Sequence, residues 1–317
     1  MNLFAQLLQR EFWEHRGAFF ITPVVIGGLQ MLMLVIALVS IGVFTTKING
    51  ADVMLSNSLR QFADSSEHMR ALILNNGLAT VAWPFLMVLG IVLVFYMVGS
   101  LYDDRKDRSI LFWKSLPISD SDTVLSKLGT TLIVVPLIYL ALIAVTQMFA
   151  MILASLVAVW IEGVPVWASL WRPTAFAHLW GDLLLGMFFT SLWWSPLYAW
   201  LMLCSAFSKR SPWLLAFAVP VGVGFLEGWL NFLGMIDTNG GTIGKWLLQH
   251  VANGMTMKGI TVGGKGLMDT SQGAIMKMFD HYADPDQFAS GDLWLGVAVA
   301  VVLITASIYA RRYRSEV

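Results

Sequence analysis

The sequence predicts an all-α polytopic membrane protein, and three observations carry that expectation. Of 317 residues, 57% are hydrophobic and only 13% charged, against about 25% charged in a soluble domain. Apolar runs recur that are long enough to cross a hydrocarbon core of about 30 Å. Lys and Arg concentrate in the segments between alternate runs, as they do on the cytoplasmic side of a bilayer.

Six spans are expected: Ile21–Phe44, Ala79–Leu101, Gly129–Ile161, Leu183–Phe207, Trp213–Met235 and Leu293–Ala310. At 1.5 Å per residue the third reaches about 48 Å, so it must tilt or protrude. Pro84, Pro136, Pro196 and Pro220 place one proline in each of spans two to five. Each removes a backbone donor and invites a kink, which membrane helices tolerate when neighbours re-satisfy the freed carbonyl.

Ahead of the first span, Leu3, Phe4, Leu7, Leu8 and Phe12 recur at helical spacing, with Gln6, Gln9, Arg10 and Glu14 mostly opposite. Residues 1–20 therefore read as an interfacial helix; the plainer alternative is an amphipathic helix packed on protein. Charges at Arg10, Glu11, Glu14 and Arg16 come too early for a secretory signal, and the apolar run behind them is too long.

With the N-terminus inside, the inner segments hold 12 Lys and Arg and the longer outer loops 8. Both termini are thus expected in the cytoplasm. Of the outer loops, Lys47–Leu78 is polar with a helical look. Glu162–Asp182 carries Trp167, Trp171 and Trp180, a possible interfacial belt. Residues 236–292 hold ten glycines, with Ile243–Met257 and Ala274–Phe279 apolar enough for short helices.

Several function classes find no support. Net charge is zero, which gives no case for a nucleic-acid partner. Cys204 is the single cysteine, so neither an internal disulfide nor a cysteine metal cluster can form. The five histidines make no spaced metal pair, and the hydrolase motifs are missing, so no metal site and no catalytic residue is expected. Gly259–Gly266 nearly spells a phosphate-binding loop, but Gly266 stands where Ser or Thr would hold magnesium and no hydrophobic strand precedes it.

Glu227 is the one formal charge well inside a span, and Asn231 shares its face one turn on. An acid at membrane depth normally faces protein or water. Two roles stay open for the pair: a transport pathway, or helix packing through a hydrogen bond or a protonated acid.

The most patterned polar stretch is Leu101–Lys127. Six charges run from Asp103 to Arg108, an apolar patch of Ile110, Leu111, Phe112 and Trp113 follows, then Leu116–Pro117. Ser119 then stands where a helix cap would, with Asp122 three residues on. An apolar patch with a charged rim suits a partner's groove; the bland alternative is a solvated loop.

This island resembles the cytoplasmic segment of ABC transporter permeases of the second type (ABC type-2 membrane proteins). Asp104–Arg105 match the family's acidic–basic pair, Ser109 its threonine, Ile110–Leu116 its leucine-rich run, Pro117 its proline and Lys127 the lysine entering the third span; Arg108 departs from the usual glycine. The resemblance implies a single permease domain over 1–317, with a coupling segment at 102–128. It implies a pairing with a second copy or paralogue in a bacterial inner membrane, and a separate cytoplasmic ATPase that binds ATP and magnesium, this chain holding no cofactor. It implies, mostly, export. On that reading Ile110–Trp113 fill the ATPase groove, and Asp104, Arg105 and Lys106 form its charged rim. The alternatives are a stand-alone secondary transporter with Glu227 as proton carrier, or a membrane anchor that moves nothing.

Overall fold

A computed structural model of the chain describes residues 3–44, 55–107, 119–159, 164–234, 242–254 and 285–313. The described residues are almost all helical, and no strand is found among them. Twelve α-helices organise them: α1 (Leu3–Glu14), α2 (Thr22–Phe44), α3 (Leu55–Asp64), α4 (Glu67–Gly99), α5 (Tyr102–Lys106), α6 (Asp120–Gly129), α7 (Val135–Val159), α8 (Phe176–Trp193), α9 (Ser195–Phe207), α10 (Pro212–Phe232), α11 (Thr242–Gly254) and α12 (Gly291–Tyr313). Among the described residues six helices are long and apolar enough to cross a membrane. The protein is an all-α, multi-pass membrane protein. Large apolar side chains such as Leu29, Met33 and Ile36 on α2 or Phe217 and Phe225 on α10 point outward, as they must where the surroundings are lipid.

Proline shapes these helices in a recurrent way. Among the described residues three π-turns occur, Gly17–Ile21, Thr130–Val134 and Trp167–Trp171. Each ends two residues before a proline: Pro23, Pro136 and Pro173. In each, the residue just before the proline donates five residues back, Thr22 to Gly17, Val135 to Thr130 and Arg172 to Trp167. A proline has no N–H and its ring crowds the preceding turn, so the ladder widens there instead of closing at i→i−4. Around Thr130–Val134 the hydroxyls of Thr130 and Thr131 turn back onto the carbonyls of Ser126 and Lys127, at 2.9 Å each.

The fourth expected span, Leu183–Phe207, needs correction. It is two helices, α8 starting at Phe176 and α9 ending at Phe207, with Trp194 between them at φ −88° and ψ −2°. Pro196 is the cause: it cannot donate to the carbonyl of Leu192, and the Ser195 hydroxyl fills that place at 2.7 Å. The second span also starts earlier than its apolar run, because Ser66 caps α4 by accepting from the Met69 N–H at 3.3 Å.

The core centres on α9, which packs against α12, α4 and α10. Glycines permit the closest approaches: a Cβ on Gly27 of α2 would come within 3.0 Å of Thr146 on α7, and one on Gly129 within 3.3 Å of Leu8 on α1. By contrast α10 buries only Pro212 and Ala216 and sits at the periphery. The three tryptophans expected to form an interfacial belt differ in their surroundings. Trp167 is 71% exposed, but Trp171 donates to Ser155 Oγ at 2.9 Å and Trp180 to Gln147 Oε1 at 2.8 Å. Those two indoles brace α7 against the π-turn before α8 and against α8 itself.

Candidate functional site: a buried ion-pair junction

The face of the bundle that carries α1, α5, α6 and the end of α12 holds the densest cluster of charged side chains among the described residues. α1 is amphipathic, and Glu11 falls on its apolar side, three and four residues after Leu8 and Leu7. Packing α1 against α6 therefore takes Glu11 inside, where only 1% of it is exposed. Lys127 of α6, equally buried, places its ammonium 3.0 and 3.1 Å from the two Glu11 carboxylate oxygens. The Tyr96 hydroxyl of α4 donates to Glu11 Oε2 at 2.8 Å.

Asp104 of α5 is the second acid of the cluster. Its Oδ1 faces Lys127 at 3.5 Å and Arg10 at 3.7 Å, and its Oδ2 accepts from Arg311 of α12 at 3.2 Å. Arg311 also donates to Asp120 Oδ1, at the start of α6, at 3.1 Å. Three acids and three bases thus lock together four elements far apart in sequence, with the α4 tyrosine as a fifth. A buried charge is tolerated only when paired and hydrogen-bonded, and each carboxylate here meets at least one cation. The same junction holds His15, whose ring stands edge-on to Tyr96 with centroids 4.9 Å apart. Burial holds the His15 imidazole below its usual range, and nearby Lys127 pushes the same way against Glu11, Glu14 and Asp103.

Beside this cluster α5 and α9 cap one another. The Leu101 and Tyr102 N–H groups donate to Ser205 Oγ at 3.0 and 2.9 Å. In return the Arg105 guanidinium donates to the carbonyls of Ser205 and Ser208, the latter at 3.0 Å. A cation on the last carbonyls of α9 also complements its dipole.

The expected charged rim is therefore corrected. In the short helix α5, Asp104 and Arg105 turn inward and are buried, while Asp103, Lys106 and Asp107 face out. Of the three rim residues only Lys106 is placed where a partner can reach it. Lys127 is a buried brace within the chain. Ile110, Leu111, Phe112, Trp113 and Pro117 lie outside the described residues, as do Gly259–Gly266 and Ala274–Phe279. Ser119 caps α6 by accepting from the Asp122 N–H at 3.0 Å.

Glu227 belongs to a different place. It lies about 22 Å along α10 from Pro212, near the end away from the junction. Its Oε1 accepts from the N–H of Thr242 at 2.8 Å and from the Thr242 hydroxyl, and Thr242 opens α11. A carboxylate on the first N–H groups of a helix satisfies orphan donors and meets the positive end of its dipole. That geometry favours the packing role over the pathway role. Asn231 follows one turn later, half-buried.

Glu11 and Arg311 were not singled out by sequence. For Glu11 a signal existed, an acid in phase with Leu7 and Leu8. For Arg311, at a helix end among other basic residues, nothing local marks a partner. Comparison with protein-family models, with curated proteins and with solved structures finds no match.

Proposed function

We propose that this chain is the membrane-spanning permease subunit of an ATP-binding-cassette transporter. It pairs with a second permease copy or paralogue in a bacterial inner membrane, and it moves a substrate outward with ATP hydrolysed by a separate cytoplasmic subunit. The observation that carries the reading is the bracing of the cytoplasmic segment. Its two ends, α5 and α6, are tied through Asp104 and Lys127 to Glu11 of α1 and Arg311 of α12. A load applied to the segment between them would reach α1, α6 and α12 together, which is what a lever driven by a partner requires. The resemblance of residues 104–127 to the coupling segment of type-2 permeases supports the same role.

In this reading Ile110–Trp113 engage the ATPase groove and Lys106 contributes charge at its edge, while Asp104, Arg105 and Lys127 stiffen the segment from within. The alternative is a stand-alone secondary transporter with Glu227 as proton carrier; Glu227 Oε1 holds α10 to α11, while its Oε2 is buried with no hydrogen-bond partner among the described residues. The test is co-expression with an ATPase subunit encoded beside this gene. Co-purification, and substrate-stimulated ATP hydrolysis that falls in Trp113→Ala while insertion is kept, is the expected result. Transport by the purified chain alone, driven by a proton gradient, would overturn it.

A further inference from the structure

We infer that the protein holds an anionic phospholipid of the inner leaflet, one acyl chain in an internal cleft and the phosphate on the Lys209–Arg210 pair. The inference does not rest on the proposed ATPase; it takes from that reading only that the junction faces the cytoplasm.

The cleft has a volume of about 390 Å³ and lies between α4, α8, α9 and the start of α10, with Gly90, Val94, Met187, Trp194 and Trp213 among its walls. That volume is within the range of small-ligand sites, roughly 300–1,000 Å³. Its walls ask for hydrocarbon. The hydroxyl of Thr190 is committed to the Gly254 carbonyl at 2.8 Å, that of Ser191 to the Met187 carbonyl at 2.9 Å, and the Trp194 N–H to the Val251 carbonyl at 3.0 Å. A polar ligand would find these groups already occupied, whereas an acyl chain needs none of them. Gly90 is part of the shape: a Cβ there would stand 3.0 Å from the Trp194 ring.

Depth selects the leaflet. Tyr96 marks the junction level, since its hydroxyl bonds Glu11 in the charged cluster. Along α4 the cleft runs from Phe95 back to Trp83, or from about 2 to about 20 Å above Tyr96 at 1.5 Å per residue. Half of a 30 Å hydrocarbon core is about 15 Å, so the cleft lies mainly in the leaflet nearer the junction. It is open to that leaflet sideways, because Ile91 and Phe95 on its rim are exposed on the lipid-facing surface.

Charge selects the headgroup. Trp213 forms the foot of the cleft with its ring 4.8 Å from Phe95, and it is the second residue of α10. Lys209 and Arg210, both exposed, lie just before it in the turn from α9. The Tyr102 hydroxyl fixes this turn by donating to the Arg210 carbonyl at 2.7 Å. Two cations at headgroup level beneath an apolar slot match a phospholipid whose chain rises and whose phosphate stays at the surface.

The test uses the full chain in vesicles of phosphatidylethanolamine with a minor share of phosphatidylglycerol or phosphatidylcholine, each carrying a photoreactive diazirine in its acyl chain. Labelled residues are mapped by mass spectrometry. Labelling of Gly90–Val94 and Met187–Trp194 is expected to be stronger from phosphatidylglycerol. The double variant Lys209→Gln/Arg210→Gln, at the surface, should bring it down to the phosphatidylcholine level, about fivefold for each charge removed. Val94→Trp should suppress cleft labelling from both lipids, and Val221→Trp, on the exposed side of α10, should not. Equal labelling from the two lipids in the native chain, no effect of the double variant, or entry of a free diazirine fatty acid but not of phospholipid would overturn the inference.

Discussion

Replacing Lys127 by methionine tests the junction directly. Methionine keeps much of the length and the apolar stem and removes only the ammonium. Glu11 then loses its two contacts at 3.0 and 3.1 Å and keeps the Tyr96 hydroxyl at 2.8 Å, with Arg10 at 3.9 Å. Asp104 loses a contact at 3.5 Å but keeps Arg311 at 3.2 Å and Arg10 at 3.7 Å. The uncompensated charge is thus mainly that of Glu11. Breaking a buried pair costs about 3–5 kcal/mol, and the tyrosine that remains puts the expected loss near the lower end, ~3 kcal/mol. Neutralising the partner as well, in Glu11→Gln/Lys127→Met, should recover most of this, because no unpaired charge is left inside.

The assay is reversible unfolding in mixed micelles of the native chain, both single variants and the double variant. A second readout reports on α1 alone: a cysteine placed at Leu7, buried in the native chain, should become reactive to a water-soluble thiol reagent in Lys127→Met and be protected again in the double variant. Cys204 is buried and gives a low background. A Lys127→Met protein within 1 kcal/mol of the native one, or a double variant that loses the sum of the two singles, would refute the view that these groups act as a coupled buried pair.

Three further outcomes are expected. Glu227→Ala should remove the cap of α11, costing about 1 kcal/mol locally, and amide exchange in the first turn of α11 should speed up about fivefold while the rest of the bundle is unchanged. The His15 imidazole is held below its usual range by burial, so the unfolded chain takes up this proton first. Stability should be full above the unfolded value of about 6.5 and fall as pH drops through it; unfolding midpoints against pH should lose that slope in His15→Gln. In Gly254→Ala the new Cβ would collide with Trp194 Cδ1 and stand 2.5 Å from its Nε1. The indole must move and give up its bond to Val251, at about 1–3 kcal/mol, visible as a red shift in tryptophan emission.

The spans were legible because lipid imposes one requirement, sustained apolarity, that a sequence displays directly. Their ends were not, because helices continue past the apolar run wherever a cap permits. Ser66 starts α4 twelve residues before Leu78, and Asp120 starts a helix that runs through Gly129 into α7. The break at Trp194 was visible only as Pro196. Within the junction the difficulty was directional. A row of charges from Asp103 to Arg108 reads as a solvated surface, but one helical turn at Tyr102–Lys106 divides it, sending Asp104 and Arg105 inward and Lys106 outward. Arg311 and Asp120 are 191 residues apart, and no local pattern announces such a pair.

The placement of the charges also separates the molecule into parts that must move together and parts that need not. α1, α5, α6 and α12 share one ionic cluster, and displacing any of them alone would strand a carboxylate or a cation in a dry interior. α9 is tied to the same body through Arg105 and Ser205. The ties of α10 to its neighbours are of a cheaper kind: the Glu227 cap on α11, the Trp200 N–H on the Ala216 carbonyl at 3.2 Å and the Phe95–Trp213 ring contact. Two interruptions of the backbone ladder border the braced body, at Trp194–Pro196 where α8 meets α9 and at Thr130–Pro136 where α6 meets α7, and Trp194 and Pro136 both line the apolar cleft. A load on α5 and α6 would move the braced body as a unit, and strain would gather where the ladder is already open. The cleft is bounded by both interruptions, through Trp194 and Pro136. An acyl chain seated there, as proposed above, would fill the space beside both breaks in the ladder.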